Sequence, residues 1–568
     1  MFWFCGSRQK AQRRQQIEGV SPPNASRNRG FNHPTDKADS IEQQASWNAP
    51  DNSLIFQTFE WHVPADRSHW RRLRDALPGY KALGIDQIWI PPGCKGMDVN
   101  GNGYDIYDLY DLGEFDQKGA VPTKWGTKQE LEDLMLQAEI LEIRVIWDAV
   151  LNHKAGADYH EPFLAVKVDP KRRDIEVEEP VEVNGWTGFE FSGRGDQYSS
   201  MKYHWQHFSG IDWDDKSKQN AIYKIVAPNK DWAQDVSTEN GNYDYLMFAD
   251  LDLTHPEVRA DLLQWGTWVT KALSLNGMRL DAAKHFSTEF QKAFVQHVRK
   301  TANPDFFAVG EYWTGHLPSL IGYLEKVDYN LTAYDVPLVE SFSRISHAKG
   351  SDLRVILKNT LVNCRPDHAV TIVSNHDTQA GQMLEVSSPD PPQEKTQLIK
   401  PQTPVAPSFK LLAYALILLR KGGHPCVFYG DLYGIRANVE NPMTPSCDGL
   451  LPILMQARKL YANGEQQDYF DQPNCIGFVR YGNARHLSGL ACVISNSGSA
   501  VQRMYVGRRH AYEEWIDLLH PDMKAVVIDK KGYGGFAVKA MSASVWVESA
   551  AVNRETIIRD FDVNIYKT

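Results

Sequence analysis

The chain of 568 residues is too long for one ordinary domain and long enough to bury a large core. Hydrophobic residues make up 42% and charged residues 23%, the composition of a soluble globular protein. The net charge of −10, with acids scattered rather than blocked, argues against a nucleic-acid surface and a polybasic membrane anchor.

Seven cysteines, odd in number and widely spaced, contain no CxxC pair, so zinc and thioredoxin-like chemistry are unsupported. They fit reduced thiols in the cytosol better than a secreted disulfide framework, and a cytoplasmic location is expected. The opening Met1-Phe2-Trp3-Phe4-Cys5 is too short for a signal-peptide core, and the apolar run Leu411 to Leu419 is far too short to span a bilayer.

Residues 1–49 are rich in Gln, Asn, Ser and Arg without periodicity and read as a disordered extension. Cys5 within it is either a palmitoylation site or an ordinary tail residue. From Ser53 the text alternates between strand and helix. Strands are expected at Leu54 to Phe59, Asp86 to Ile90 and Arg144 to Asp148, with helices over Trp70 to Leu83 and Lys128 to Leu141. Residues 152–249, rich in Gly, Trp, Tyr and Asp, break this rhythm as an irregular insertion. Alternation then resumes with a helix from Pro256 to Leu275, a strand ending at Asp281, a helix from Thr288 to Lys300 and a strand ending at Glu311. It continues with a helix from Leu317 to Glu325, a strand from Leu331 to Val336, a helix from Asp352 to Leu361 and a strand ending at Asp377. The last elements are a helix from Phe409 to Lys421, a strand from Pro425 to Gly430 and a helix from Leu450 to Tyr461.

Eight strands alternating with eight helices give an α/β fold, a (β/α)8 TIM barrel over 50–151 and 250–465 with an irregular domain inserted after strand 3. Residues 466–550 read as a C-terminal antiparallel β-sandwich, and 551–568 as a tail. Ser387 to Ser408 carries six prolines and a mixed-charge centre. After the seventh strand it is either a functional loop on the catalytic face or an insert without a role.

Three of the apolar runs end in a carboxylate: Gly277 to Asp281, Phe306 to Glu311 and Val370 to Asp377. A barrel places its chemistry at the C-terminal ends of its strands, so the three acids point to one pocket. Two opposed carboxylates helped by a third are what glycosidic bond cleavage needs. Arg279, two residues before Asp281 on a strand, shares its face and is expected to keep Asp281 charged.

Four segments carry a family resemblance: Asp148-Ala149-Val150-Leu151-Asn152-His153, Gly277 through His285, Gly310-Glu311-Tyr312-Trp313 and Ser374-Asn375-His376-Asp377. A fifth is Met247-Phe248-Ala249-Asp250-Leu251-Asp252. With these motifs in this order, residues 53–550 resemble glycoside hydrolase family 13, the α-amylases. The likeness is greatest to the fungal intracellular amylases related to the bacterial liquefying enzymes. The resemblance implies a retaining α-1,4-glucan hydrolase in which Asp281 is the nucleophile, Glu311 the general acid and base, and Asp377 the acid that orients the sugar. Tyr104 is implied as a stacking platform, His153 and His376 as sugar ligands, and Lys284 and Trp313 as residues on the leaving-group side. It also implies one structural Ca2+ held by Asn152, Asp244, Asp250 and the carbonyl of His285, oxygen donors suited to a hard cation. Where the liquefying enzymes carry further aspartates this chain has Ser209 and Ala233, so one ion is expected rather than a cluster. Asp98 to Gly103 is not an EF-hand, since its twelfth position is Leu109.

The expected partner is an α-glucan or maltooligosaccharide, with no nucleic acid and no membrane, and a monomeric state. Two alternatives stand beside hydrolysis: transfer of the glycosyl group to an acceptor sugar, and glucan binding without catalysis.

Overall fold

The computed structural model describes residues 52–348, 350–380, 382, 404–436 and 443–567. The extension expected over 1–49, with Cys5, and most of the 387–408 loop lie outside the described residues.

Among the described residues, eight parallel strands close into a barrel: β1 (Ile55–Gln57), β2 (Gln87–Ile90), β3 (Arg144–Ala149), β4 (Gly277–Leu280), β5 (Phe307–Gly310), β6 (Thr332–Tyr334), β7 (Ala369–Thr371) and β8 (His424–Phe428). Closure is direct, with Ile55 of β1 facing Gln87 of β2 on one side and Cys426 of β8 on the other. These runs read as unbroken apolar text because helices cover the outside and side chains fill the inside.

The covering helices are α1 (His69–Ala82), α2 (Lys128–Ile140), α3 (Pro256–Ala272), α4 (Thr288–Thr301), α5 (Leu317–Lys326), α6 (Val336–His347), α7 (Lys410–Leu419) and α8 (Leu451–Tyr461). Their starts are written locally. Thr127 and Glu130 form a capping box on α2, and Ser287 accepts the Phe290 N–H at the head of α4. The helix expected over Asp352 to Leu361 is a correction. That stretch holds a single 3-10 turn, Leu353–Val355, and the helix after β6 is α6 instead. Asp335 caps it by accepting the Leu338 N–H, Pro337 sits in its first turn, and Leu338, Phe342 and Ile345 face the core.

The insertion after β3 is more regular than its text. His153–Lys154, Tyr159–Asp169, Arg172–Glu176, Val181–Gly188, Phe208–Asp214, Gln219–Ile225 and Ala249–Leu251 form one sheet whose pairings are antiparallel. Asp250 pairs with His153 across it, returning the chain to the point from which it left the barrel.

Past α8 the strands Gln466–Gln472, Cys475–Arg480, Leu490–Ser495, Ser542–Glu548, Glu514–Asp517 and Val526–Val527 make a six-stranded sheet, accompanied by the ribbon Ala500–Tyr505 with Tyr533–Val538. Val493, Met504, Trp515, Phe536 and Trp546 fill the space between them. No helix among the described residues is long and apolar enough to cross a membrane.

Candidate active site

The centre of the site is a guanidinium shared by carboxylates from three strands. Arg279, on β4 and 1% exposed, places Nη1 2.7 Å from Asp148 Oδ1 and 2.7 Å from Asp281 Oδ1. Its Nη2 lies 2.8 Å from Glu311 Oε2, which also accepts the backbone N–H of Ala282 at 2.9 Å. Asp281 and Glu311 each follow the last residue of their strand, β4 and β5, so the barrel itself sets their spacing.

Arg279 was expected to keep Asp281 charged. Its attraction is present but divided, because one positive charge serves three acids in a buried space. Burial and the nearby Glu311, Asp148 and Asp377 carboxylates outweigh it and push Asp281 up. The same burial raises Asp148 to about 6. Arg279→Met leaves these carboxylates with no counter-charge, so unfolding stability is expected to drop by about 3–5 kcal/mol. The deficit grows as pH rises, since more of the acids ionise, and denaturant midpoints at several pH values measure it.

Asp377 lies beyond the end of β7, on a turn in which Asn375 Oδ1 accepts the N–H groups of Asp377 (3.1 Å) and Thr378 (2.8 Å). Gln57 donates Nε2–H to Nδ1 of the buried His376 at 2.9 Å, so the ring proton sits on Nε2, 3.3 Å from Asp377 Oδ2. Burial and Arg279 hold His376 far below the usual histidine range, so it stays neutral.

Tyr104 donates its hydroxyl to Asp148 Oδ2 at 2.8 Å, and Trp89 Nε1 donates to the same oxygen at 3.1 Å. The Tyr104 ring lies nearly parallel to the His376 ring at 5.2 Å and to the Trp61 ring at 6.0 Å, with interplanar angles of 3° and 7°. Three aligned rings thus make an aromatic floor. His153 donates Nε2–H to the Tyr104 carbonyl at 2.8 Å, which leaves Nδ1 a buried acceptor without a partner. Burial lowers its pKa to about 4. An NMR titration is expected to show His153 inflecting near that value. Unfolded chains then take up a proton between about pH 6.5 and pH 4 that the folded chain refuses, so this residue destabilises the fold as pH falls through that window.

Lys284 donates Nζ to the Trp313 carbonyl at 2.9 Å and to Glu239 Oε2 at 3.0 Å. Asn152, Asp244, Asp250 and His285 come together where the inserted sheet meets the barrel. Asn152 Nδ2 donates to Asp250 Oδ1 at 3.1 Å, while Asn152 Oδ1 is buried without a hydrogen-bond partner. Burial, then the Asp252, Asp235 and Asp231 carboxylates, raise Asp244 to about 8. Burial and Asp244 push Asp250 well up. Ser209 donates its hydroxyl to Asp250, and the Ala233 N–H donates to Asp244 Oδ2 at 2.8 Å. His285 Nδ1 donates to the Tyr243 carbonyl at 2.9 Å, tying it to the residue before Asp244. An orphaned buried oxygen beside two mutually repelling buried acids is a donor set fit for a hard cation.

The Alpha-amylase catalytic-domain family matches residues 64–446. The chain belongs to the α-amylase family. It is 44% identical to the α-amylase of Bacillus licheniformis, covering 88% of this chain and 94% of that protein. Against the cytoplasmic α-amylase of Escherichia coli K12 it is 37% identical, covering 87% and 99%. An Anoxybacillus α-amylase structure superposes with a TM-score of 0.57 at 18% identity, over 89% of this chain and 99% of that one, a likeness of fold. Asp148, Gln57 and Trp61 contact Arg279, His376 and Tyr104 in this pocket, and sequence reasoning gave them no role there. The signal for Trp61 was present: Phe56-Gln57-Thr58-Phe59-Glu60-Trp61 is one more apolar strand running out into an acid, here beside an indole.

Proposed function

We propose that the chain is an α-amylase that cleaves internal α-1,4-glucosidic bonds of starch, glycogen or maltooligosaccharides with retention. The observation that carries this reading is the pair Asp281 and Glu311, bound to the two terminal nitrogens of one buried guanidinium. Retention needs the two carboxyls about 5–5.5 Å apart, and a shared guanidinium is a device for holding them close. Asp281 attacks the anomeric carbon as Glu311 protonates the departing glycosidic oxygen, giving a covalent glycosyl-enzyme. Glu311 then takes a proton from water, which attacks the same carbon and releases Asp281. The floor of Tyr104, His376 and Trp61 supports the distorted sugar, Asp377 and His376 bind its hydroxyls, and His153 holds the Tyr104 backbone beside the same subsite. Lys284 and Trp313 line the leaving-group side.

Asn152 Oδ1, Asp244, Asp250 and the His285 carbonyl would hold one structural Ca2+, which supplies the counter-charge that the two buried aspartates lack. Ser209 and Ala233 place a neutral hydroxyl and a neutral N–H against those acids, which favours a single ion. A cytoplasmic location is supported by six free cysteines among the described residues and by the E. coli relative. A monomer is proposed.

A product time course on a defined maltooligosaccharide tests the activity. Shorter α-anomeric products, lost in Glu311→Gln, are expected. Products longer than the substrate would make the protein mainly a glucanotransferase, and an inert wild type would leave glucan binding alone.

A further inference from the structure

Glu60 is fully buried, and its carboxylate gathers three segments of the barrel rim. Oε2 accepts Gln379 Nε2–H at 3.0 Å and the His62 N–H at 2.7 Å, and Oε1 accepts the backbone N–H of Arg436 at 3.2 Å. Gln379 Oε1 in turn accepts the backbone N–H of Trp61 at 3.0 Å. The Trp61 carbonyl accepts from Asn102 Nδ2 at 3.0 Å, and Asn102 Oδ1 from Lys124 Nζ at 2.6 Å. Trp61 is thereby fixed on both sides of its peptide, and its indole aligned with Tyr104 and His376.

Arg436 is the outer member of this clasp. Its guanidinium lies 4.2 Å from the centroid of the Tyr566 ring, and that of Arg72 lies 4.9 Å from the same ring. Tyr429, the residue after β8, donates its hydroxyl to Tyr566 Oη at 3.1 Å. The segment bearing Tyr566 follows the sheets described above and contributes to none of their strands, yet it is tied down along its length. Ile558 and the Gln456 side chain exchange hydrogen bonds of 2.9 and 3.2 Å. Arg559 donates to the Leu518 carbonyl at 3.0 Å, and the Phe561 ring lies 6.1 Å from that of Tyr433.

We propose that residues 557–567 are a strap that positions the sugar-binding floor, with Tyr566 acting through Arg436 and Glu60 on Trp61. Tyr566 and Glu60 are positioning residues. The proposal rests on the reading of Trp61, Tyr104 and His376 as a sugar platform.

The test uses the full chain with Tyr566→Ala, Tyr566→Phe, Glu60→Gln and the Tyr566→Ala/Glu60→Gln double variant. KM and kcat are measured on a defined maltooligosaccharide well below the melting temperature, and the binding constant by calorimetry in a Glu311→Gln background. Tyr566→Ala is expected to raise KM and Kd roughly three- to tenfold with kcat within about twofold. Tyr566→Phe, which keeps the ring against both guanidiniums, stays near wild type. The double variant is no worse than Glu60→Gln, because both act on one chain of contacts. Unchanged KM and Kd with only a lower melting temperature overturn the strap, as do independent additive losses. An inert wild type would sink the amylase reading instead. Acrylamide quenching of the Trp61 component, isolated by difference from Trp61→Phe, then still decides the strap: Tyr566→Ala must make that indole more accessible.

Discussion

Glu311→Gln and Asp281→Asn are each expected to lower kcat on a maltooligosaccharide by about 10³–10⁵-fold, without loss of fold. The two losses have different causes, and a change of leaving group separates them. A glycosidic oxygen departs only if it is protonated, so Glu311→Gln stalls at the first step. Fluoride departs without a proton. An α-maltosyl fluoride is therefore expected to restore formation of the glycosyl-enzyme in Glu311→Gln, whose intermediate then accumulates because no base activates water. Asp281→Asn has no nucleophile to offer and stays inert on both substrates. Equal behaviour of the two variants on the fluoride would remove the assignment of roles. The pair also shares Arg279, so either substitution changes the charge that its partner meets. A cycle with both changes is expected to show strong non-additivity, the mark of residues acting as one unit.

What the text revealed and what it hid divide along a physical line. Buried parallel strands are short apolar runs, and an acid one residue past the end of β4 or β5 is conspicuous against them. The barrel and all three acids could therefore be read locally, although Asp377 stands on a turn beyond β7 rather than at the strand's end. The inserted sheet could not. Its long hairpin, Tyr159–Asp169 with Val181–Gly188, carries Pro162, Gly185 and several charges and exposes Leu164, Val181 and Trp186, so the alternation that announces a half-buried strand is blurred. Helix α6 was missed for a local reason: the expected strand was carried through Val336, whereas Val336 opens the helix and Pro337 stands in its first turn, where a missing N–H costs nothing. Gln57 and Glu60 were missed for a non-local one. Their partners His376 and Gln379 lie more than three hundred positions away, and only closure of the barrel brings β1 and the loop after β7 to the same rim. The divided charge of Arg279 belongs to the same class. Spacing along β4 put it beside Asp281, but nothing in that spacing said that Asp148 and Glu311 would compete for it.

Removal of the proposed Ca2+ carries the other large effect. An ion held at about a thousand times its Kd stabilises the folded state by about 4 kcal/mol, so chelation is expected to lower the melting temperature on the order of 10 °C. The size depends on pH, and its sign follows from the aspartates. In the calcium-free fold Asp244 is raised to about 8, while in the unfolded chain it returns to about 3.9. Between those values the folded calcium-free protein holds a proton that the unfolded chain has lost, so its stability falls as pH rises. Calcium requires the carboxylates ionised, and its binding expels that proton. Affinity therefore weakens as pH drops below about 8, and the gap between calcium-loaded and chelated melting temperatures widens toward the alkaline side. Asp250→Asn and Asn152→Ala are expected to narrow the gap by weakening the ion's hold. Elemental analysis of the dialysed wild type should return one calcium per chain. Two or more would mean that the neutral groups at Ser209 and Ala233 do not close off a second ion. A melting temperature indifferent to chelation, with no metal found, would mean that Asp244 and Asp250 manage their repulsion by keeping protons instead.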